Sequence, residues 1–426
     1  MSAAPDSHTP FAARLRDLLG RDETLLVVVI GLVAVYLARY LIWNFTRVDY
    51  DIQGSGDWVG SDFFCFWAAS KFLFEHSATA LYHIPTFTQY ELTFISADGG
   101  LFYPWIYPPF AIFLIGPLGL MPYAQAYIVW MALTFLVYVF LSGGLKPRLW
   151  FFLLLVVAPA TTVNLIGGQN GFLTAGLLMG GLLMLDRRPM LAGILFGLLT
   201  IKPQLGLLIP VALIAGGLWR PFFAAAATGG LLAVLANFFF GQNVWPAYME
   251  AVATFREVTV ALDTGFIHLQ PTVFAAMRLW GAAPALAYAV QGVVTLGLIA
   301  AIWHLFRKST DRPLQAAAIG FAVLLTTPYA FVYDMPVVTI ACIILGWRGF
   351  QEGFLPGERL ALILGWVLPI TVMNLNPLHL PVGPAVLLAL FALTLRRALK
   401  PESASLPVGR SMAARNQVWR TSRSSH

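Results

Sequence analysis

Apolar runs separated by short polar or glycine- and proline-marked breaks punctuate almost the whole chain. They lie near residues 24–46, 107–121, 124–142, 149–166, 171–185, 190–201, 204–218, 222–240, 284–305, 314–328, 334–347, 359–375 and 384–396. A hydrocarbon layer about 30 Å thick takes roughly 20 helical residues to cross, and it holds no water to satisfy an open backbone. The pattern therefore predicts membrane helices rather than a barrel. The run 107–121 is the exception, because Pro108, Pro109, Gly116, Pro117 and Gly119 disfavour a regular span and suit a broken or re-entrant element. The expected fold class is an all-α polytopic bundle of about 12 spans, with 11 to 13 as its bounds.

Charge sets the expected orientation. Arg187 with Arg188, Arg220, Arg307 with Lys308, Arg348 and Arg359 fall between runs in a way that lets all of them face the cytosol. The first run follows Arg14, Arg16 and Arg21 and lacks a small-residue cleavage site, so it reads as a retained signal anchor with a cytosolic amino end. Residues 1–23 are then a cytosolic segment, 24–396 one membrane domain, and 397–426 a basic tail expected to be disordered in the cytosol. The other face receives two long outer loops, 46–105 and 241–283, and most of the unusual polar residues. Within the first loop, stretches 62–76 and 78–95 carry Phe63, Phe66, Trp67, Phe74 and Tyr82 and predict amphipathic helices lying in the interface.

Composition narrows the function classes. Hydrophobic residues make up 59% and charged residues 11%, against roughly a quarter charged in soluble domains. The net charge of +6 is spent on short loops and ends, which implies anionic lipid rather than nucleic acid as partner. Two cysteines, Cys65 and Cys342, make no disulfide framework, and His83, His268 and His379 are too scattered for a metal site. No Asp-x-Asp pair, Walker lysine, Rossmann glycine pattern or Ser-x-x-Lys nucleophile is present, so neither metal nor cofactor is expected.

The chemistry-bearing candidates are polar residues stranded beside apolar runs. Asp62 opens Asp-Phe-Phe-Cys-Phe-Trp-Ala-Ala-Ser; it is either a helix N-cap or a general base that takes a proton from an acceptor hydroxyl. Asp51 and Asp57 are alternatives in a Gly- and Ser-rich setting. Lys202, followed by Pro203, has no acidic neighbour in sequence, so its ammonium must snorkel, pair with a distant acid or bind an anion such as a lipid phosphate. Gly167-Gly168-Gln169-Asn170-Gly171 is a tight turn whose amides can meet sugar hydroxyls, or simply a turn. Tyr107 precedes two prolines, and Tyr333-Asp334 stands at a run's start as a second carboxylate site. In the second loop, Arg256, Asp263, His268, Gln270 and Arg278 alternate with apolar residues, as a partly ordered lid over a lipid-linked substrate would.

In this order the residues resemble glycosyltransferase family 87. The resemblance rests on Asp62-Phe with Trp67-Ala-Ala, Leu81-Tyr82, Tyr107-Pro108-Pro109-Phe110 followed by Pro117-Leu118, and Gly168-Gln169-Asn170. It continues through Ala192-Gly193, Ile201-Lys202-Pro203, Pro328-Tyr329 and Tyr333-Asp334. It implies a GT-C type multi-span fold in the inner (plasma) membrane, with a site facing the periplasm or exterior. It also implies a polyprenyl-phosphate donor carrying mannose or an arabinofuranosyl counterpart, inversion at the anomeric carbon, and a catalytic aspartate matching Asp62. The expected activity is transfer from that donor to an envelope glycolipid or glycan acceptor, with Lys202 on the donor phosphate and Tyr107, Gln169, Asn170, Tyr333, Asp334 and His268 at the substrates. Asn170-Gly171 after Gln169, and Pro203-Gln204 after Lys202, depart from the family pattern and leave the sugar open rather than the reaction class. The rival reading is a transporter or lipid flippase of the envelope, whose sign would be pseudo-symmetry between halves.

Overall fold

A computed structural model describes residues 60–94, 104–143, 148–261 and 265–400, with scattered helical positions between 31 and 42. The amino-terminal segment, most of the first expected span, Asp51, Asp57, Asp263 and the tail beyond residue 400 lie outside the described residues. Among those described, every regular element is helical. In chain order they are α1 (Phe63–Phe72), α2 (Ala78–Leu81), α3 (Ile84–Glu91), α4 (Ala111–Ile115), α5 (Tyr123–Ser142), α6 (Leu149–Val156) and α7 (Pro159–Gly167). Then come α8 (Gly171–Met184), α9 (Pro189–Leu198), α10 (Leu208–Ala215), α11 (Trp219–Phe240), α12 (Val244–Ala261), α13 (Val273–Leu279) and α14 (Pro284–Lys308). The chain ends on α15 (Arg312–Ala322), α16 (Pro336–Glu352), α17 (Glu358–Trp366), α18 (Leu368–Leu375) and α19 (Gly383–Ala398). Proline in the first turn opens α7, α9, α14, α15, α16, α18 and α19, where its missing N–H would have had no partner.

The long helices carry their apolar side chains outward. Ile128 and Leu133 on α5, Val234 and Phe238 on α11, and Val293 and Leu296 on α14 are all exposed, the reverse of a soluble fold and the mark of a lipid-facing surface. Among the described residues three helices, α5, α11 and α14, are long and apolar enough to cross a membrane, or five elements if α6 with α7 and α17 with α18, bent by 57° and 68°, each count as one span. The other apolar helices are shorter, so a count of twelve stays an expectation. The segment after Tyr107 is indeed broken: α4 passes directly into a 3₁₀ turn, Gly116–Leu120.

One expectation is corrected. The first loop's leading helix is not laid in the interface with one face to lipid. Phe63, Phe64, Cys65, Phe66, Trp67, Ala68, Ala69, Ser70 and Phe72 of α1 are all buried, as a helix apolar on every side should be. Its rings pack on Tyr123, Tyr127 and Trp130 of α5 and on Trp105 and Tyr107. In the second loop, α12 and α13 occupy most of the described residues.

Small residues set the packing distances around the central helix α8, which lies against α5, α9, α15 and α16. At Gly176 an added Cβ would come 3.0 Å from Tyr138 Cα, and at Gly180 it would come 2.7 Å from Leu141 Cβ. Gly193 and Gly197 repeat this small-xxx-small spacing on α9, where a Cβ would meet Ala224 and the Pro221 carbonyl at 2.5 Å, or Thr228 at 2.4 Å. Gly197→Leu should therefore force α9 from α11 and shorten the thermal half-life in detergent, a loss of about 1–3 kcal/mol or more by overpacking. Gly230→Ala on α11 meets nothing within 4 Å and is the control expected to be neutral or better.

Polar groups gather at two separated ends. Arg312–Asp186, Arg348–Asp311, Arg348–Glu352, Arg397–Glu352 and Arg397–Glu358 ion pairs tie together the carboxyl ends of α8, α16 and α19 and the amino ends of α15 and α17. The opposite ends of α8 and α16 begin just after Asn170 and Asp334. At 1.5 Å per residue the two polar layers are thus about 20–25 Å apart.

Candidate functional site

Asp62 is held by backbone. Its N–H donates to the Gly167 carbonyl at 3.0 Å, the Gly60 N–H donates to Ile166 at 2.9 Å, and the Tyr123 hydroxyl donates to the Gly60 carbonyl at 2.7 Å. The start of α1 is thereby clipped to the end of α7. The Asp62 side chain makes no capping hydrogen bond, which removes the N-cap alternative. It instead accepts a hydrogen bond from the Gln169 amide, with Lys202 close enough to act on its charge. Burial lifts this carboxyl to about 6, and the Gln169 bond and Lys202 charge only partly oppose the shift. A value of about 6 leaves it mostly ionised at neutral pH, and the residue as a whole is only partly buried.

The turn below it is shaped by glycine. Gly168 has φ +69°, and a Cβ there would strike Phe63 at 2.5 Å. Its carbonyl accepts from Trp130 Nε1 at 3.1 Å, and the Leu165 carbonyl accepts from the Tyr127 hydroxyl. Gly171 must be glycine for another reason: a Cβ would lie 1.8 Å from the Tyr333 carbonyl oxygen. That contact brings the 3₁₀ turn Val332–Asp334 against the glycine turn. Gln169 Oε1 accepts from the Tyr107 hydroxyl at 3.2 Å, which leaves its amide group free to donate to Asp62.

Lys202 projects from the break between two 3₁₀ turns, Leu199–Ile201 and Pro203–Gly206. Its Nζ donates to Asp334 Oδ1 at 2.6 Å and to Asn170 Oδ1 at 3.1 Å, and stands 4.6 Å from the centre of the Tyr333 ring. Asp334 is held in turn, since its Oδ2 accepts from the Phe331 N–H at 3.1 Å. Of the three options for Lys202, pairing with a distant acid is realised. Both side chains are almost fully enclosed, at 6% and 0% exposure, and an ion pair so deep needs its added hydrogen bonds to offset desolvation.

Asp62, Tyr107, Gln169, Asn170, Lys202, Tyr333 and Asp334, drawn from five distant stretches, therefore form one connected cluster. His268 sits apart in the 3₁₀ turn Gly265–Leu269, which packs on α13, α18 and Asn376–Leu378, with its Nδ1 buried and unpartnered. Sequence reasoning missed two members of the neighbourhood. Asn164, wholly buried in α7, accepts from the Gly171 N–H at 3.2 Å and keeps an unpartnered amide. Glu91, 2% exposed, lies near Cys65, and burial pushes it up to about 9, so it is a neutral acid at pH 7. An amide inside an apolar helix was the available signal for the first. A lone acid between Tyr90 and Leu92 was the signal for the second.

The cluster can do three things chemically: accept a proton at Asp62, offer amides and phenols to hydroxyls, and present an ammonium to an anion. A family model described as Glycosyltransferase family 87 matches residues 105–328, just over half of the chain. The matched stretch includes Tyr107, Gln169, Asn170, Lys202 and His268, while Asp62, Tyr333 and Asp334 lie outside it. No curated protein and no solved structure matches.

Proposed function

Because this chain belongs to glycosyltransferase family 87, we propose that it moves a sugar, mannose foremost, from a polyprenyl phosphate to a glycolipid or glycan acceptor. Asp62 takes the proton of the acceptor hydroxyl as that oxygen bonds the anomeric carbon. The bond from that carbon to the phosphate oxygen breaks, and its electron pair leaves with the phosphate, which inverts the centre and needs no proton on the leaving group. Lys202 steadies the phosphate. Its ammonium has three donors, two of them engaged by Asn170 and Asp334, and the third is left for a phosphate oxygen. Tyr107, Gln169, Asn170, Tyr333 and Asp334 orient the reactants.

The observation that carries this reading is the joining of an ionisable carboxylate and an ammonium through Gln169, Asn170 and Asp334. The side follows from charge. Arginine-rich helix ends lie at one polar layer and the cluster at the other, so with the arginines cytosolic the site faces the periplasm or exterior of an inner membrane, in a GT-C type bundle of about 12 spans. Purified protein given labelled polyprenyl-phosphate mannose and a membrane extract should label an extractable product, whereas a labelled nucleotide mannose should give none. The reverse preference would sink the donor assignment. Family membership leaves transport without an observation in its favour.

A further inference from the structure

A cleft of about 350 Å³ opens between the α2–α3 pair and α12. Thr79, Tyr82, His83 and Pro85 wall one side, and Glu250 and Thr254 the other. Its size falls at the low end of the roughly 300–1,000 Å³ usual for small-molecule sites, room for a short piece of a glycan. Tyr82, one of the residues that line it, is 3% exposed. The Tyr82 hydroxyl donates to the Tyr107 carbonyl at 2.8 Å and accepts from Trp105 Nε1 at 3.2 Å. Tyr107 donates in turn to Gln169, and Gln169 to Asp62. The cleft is thus linked by three side chains to the carboxylate, although none of its wall residues belongs to the cluster.

We propose that this cleft is an acceptor subsite, which holds the hydroxyl-rich segment adjoining the hydroxyl presented to Asp62; the assignment rests on the transferase reading above. The lining chemistry selects the occupant. A carboxylate at Glu250, hydroxyls at Thr79 and Thr254 and an imidazole at His83 offer the mixed donors and acceptors that sugar hydroxyls require, with Pro85 as an apolar patch. Among the described residues no lysine or arginine lines the cleft, and Glu250 repels a phosphate, so the donor headgroup is disfavoured. Neither wall belongs to the long outward-apolar helices α5, α11 and α14, so the polyprenyl tail is disfavoured as well.

The test uses full-length purified protein, wild type beside Glu250→Ala and Thr254→Trp. Both positions are exposed on α12, so neither change disturbs the core. Binding of manno- and gluco-trisaccharides without donor is read by saturation-transfer NMR, and KM for trisaccharide acceptor and for lipid donor is measured by turnover. The wild type should bind one of the trisaccharides. Each variant should weaken that binding and raise acceptor KM about tenfold, Glu250→Ala by losing a hydrogen bond to a charged group and Thr254→Trp by filling the cleft, while donor KM stays level. Transfer with unaltered trisaccharide affinity in both variants overturns the subsite, as does a rise in donor KM alone or no binding of either trisaccharide. Glu250-dependent trisaccharide binding without any transfer would keep the subsite and remove the transferase reading instead.

Discussion

Asp62→Asn should cut sugar transfer about 10³-fold, within the 10²–10⁴ that a positioned general base supplies, in a protein that stays folded and binds donor. The fold gives the reason. The clip that fixes this residue is made by backbone groups, Asp62 N–H to Gly167 and Gly60 N–H to Ile166, and Asn keeps both. No side-chain cap is lost, because Asp62 makes none, and the Asn carbonyl can still accept from Gln169. Stability should even rise. The folded carboxyl titrates near 6 against an ordinary 3.8, so the fold disfavours its charge; at pH 7 that penalty is present, and the neutral amide removes it. A higher melting temperature with lost turnover would separate catalysis from folding in one experiment.

The same group gives a pH signature. Only the ionised form accepts a proton, so wild-type kcat/KM should level off above about 6 and fall tenfold per pH unit well below it. In Asp62→Asn the residual rate should lose that limb. Undiminished transfer by this variant would move the base elsewhere, and Glu91 would be a poor replacement, since burial leaves it protonated at neutral pH. Asp334 would then be the carboxylate to examine, although its Oδ1 is already committed to Lys202.

What the sequence allowed to be read, and what it hid, follows from locality. Asp62, Lys202 and Asp334 stood out because an isolated charge beside an apolar run is costly wherever the chain goes. The identity of the partners did not, because Lys202 and Asp334 are 132 positions apart and only the fold decides which acid arrives. The helical nature of the apolar runs was legible, yet α6 and α7 fused into one expected span, since Pro159 breaks the helix without interrupting its hydropathy. The stretch 62–76 has the sequence of an amphipathic interfacial helix, whereas every residue of α1 but Lys71 is buried. The helix α12 was hidden by Pro246, Arg256 and Glu257, punctuation that a helix tolerates at exposed positions. Gly193 and Gly197 are visible as a spacing in sequence, but their mate, α11, is not.

The pair Lys202 and Asp334 yields the largest expected effect on stability. Each side chain is enclosed, so removing one strands the other's charge away from water, which costs about 3–5 kcal/mol in buried pairs. Lys202→Met and Asp334→Leu should each sharply shorten thermal half-life in detergent. Combined, they leave no orphaned charge. The double variant should recover most of the loss, because apolar residues of similar volume replace buried ion pairs at little net cost. Asn170 Oδ1 then loses its donor and the Phe331 N–H its acceptor, which together set a residual deficit of about 2 kcal/mol. Activity is expected to part from stability here: if the ammonium steadies the departing phosphate, the restored double variant remains inactive, with donor KM raised or turnover absent. Recovery of transfer together with half-life would make the pair a packing device alone and would return the phosphate to some other group.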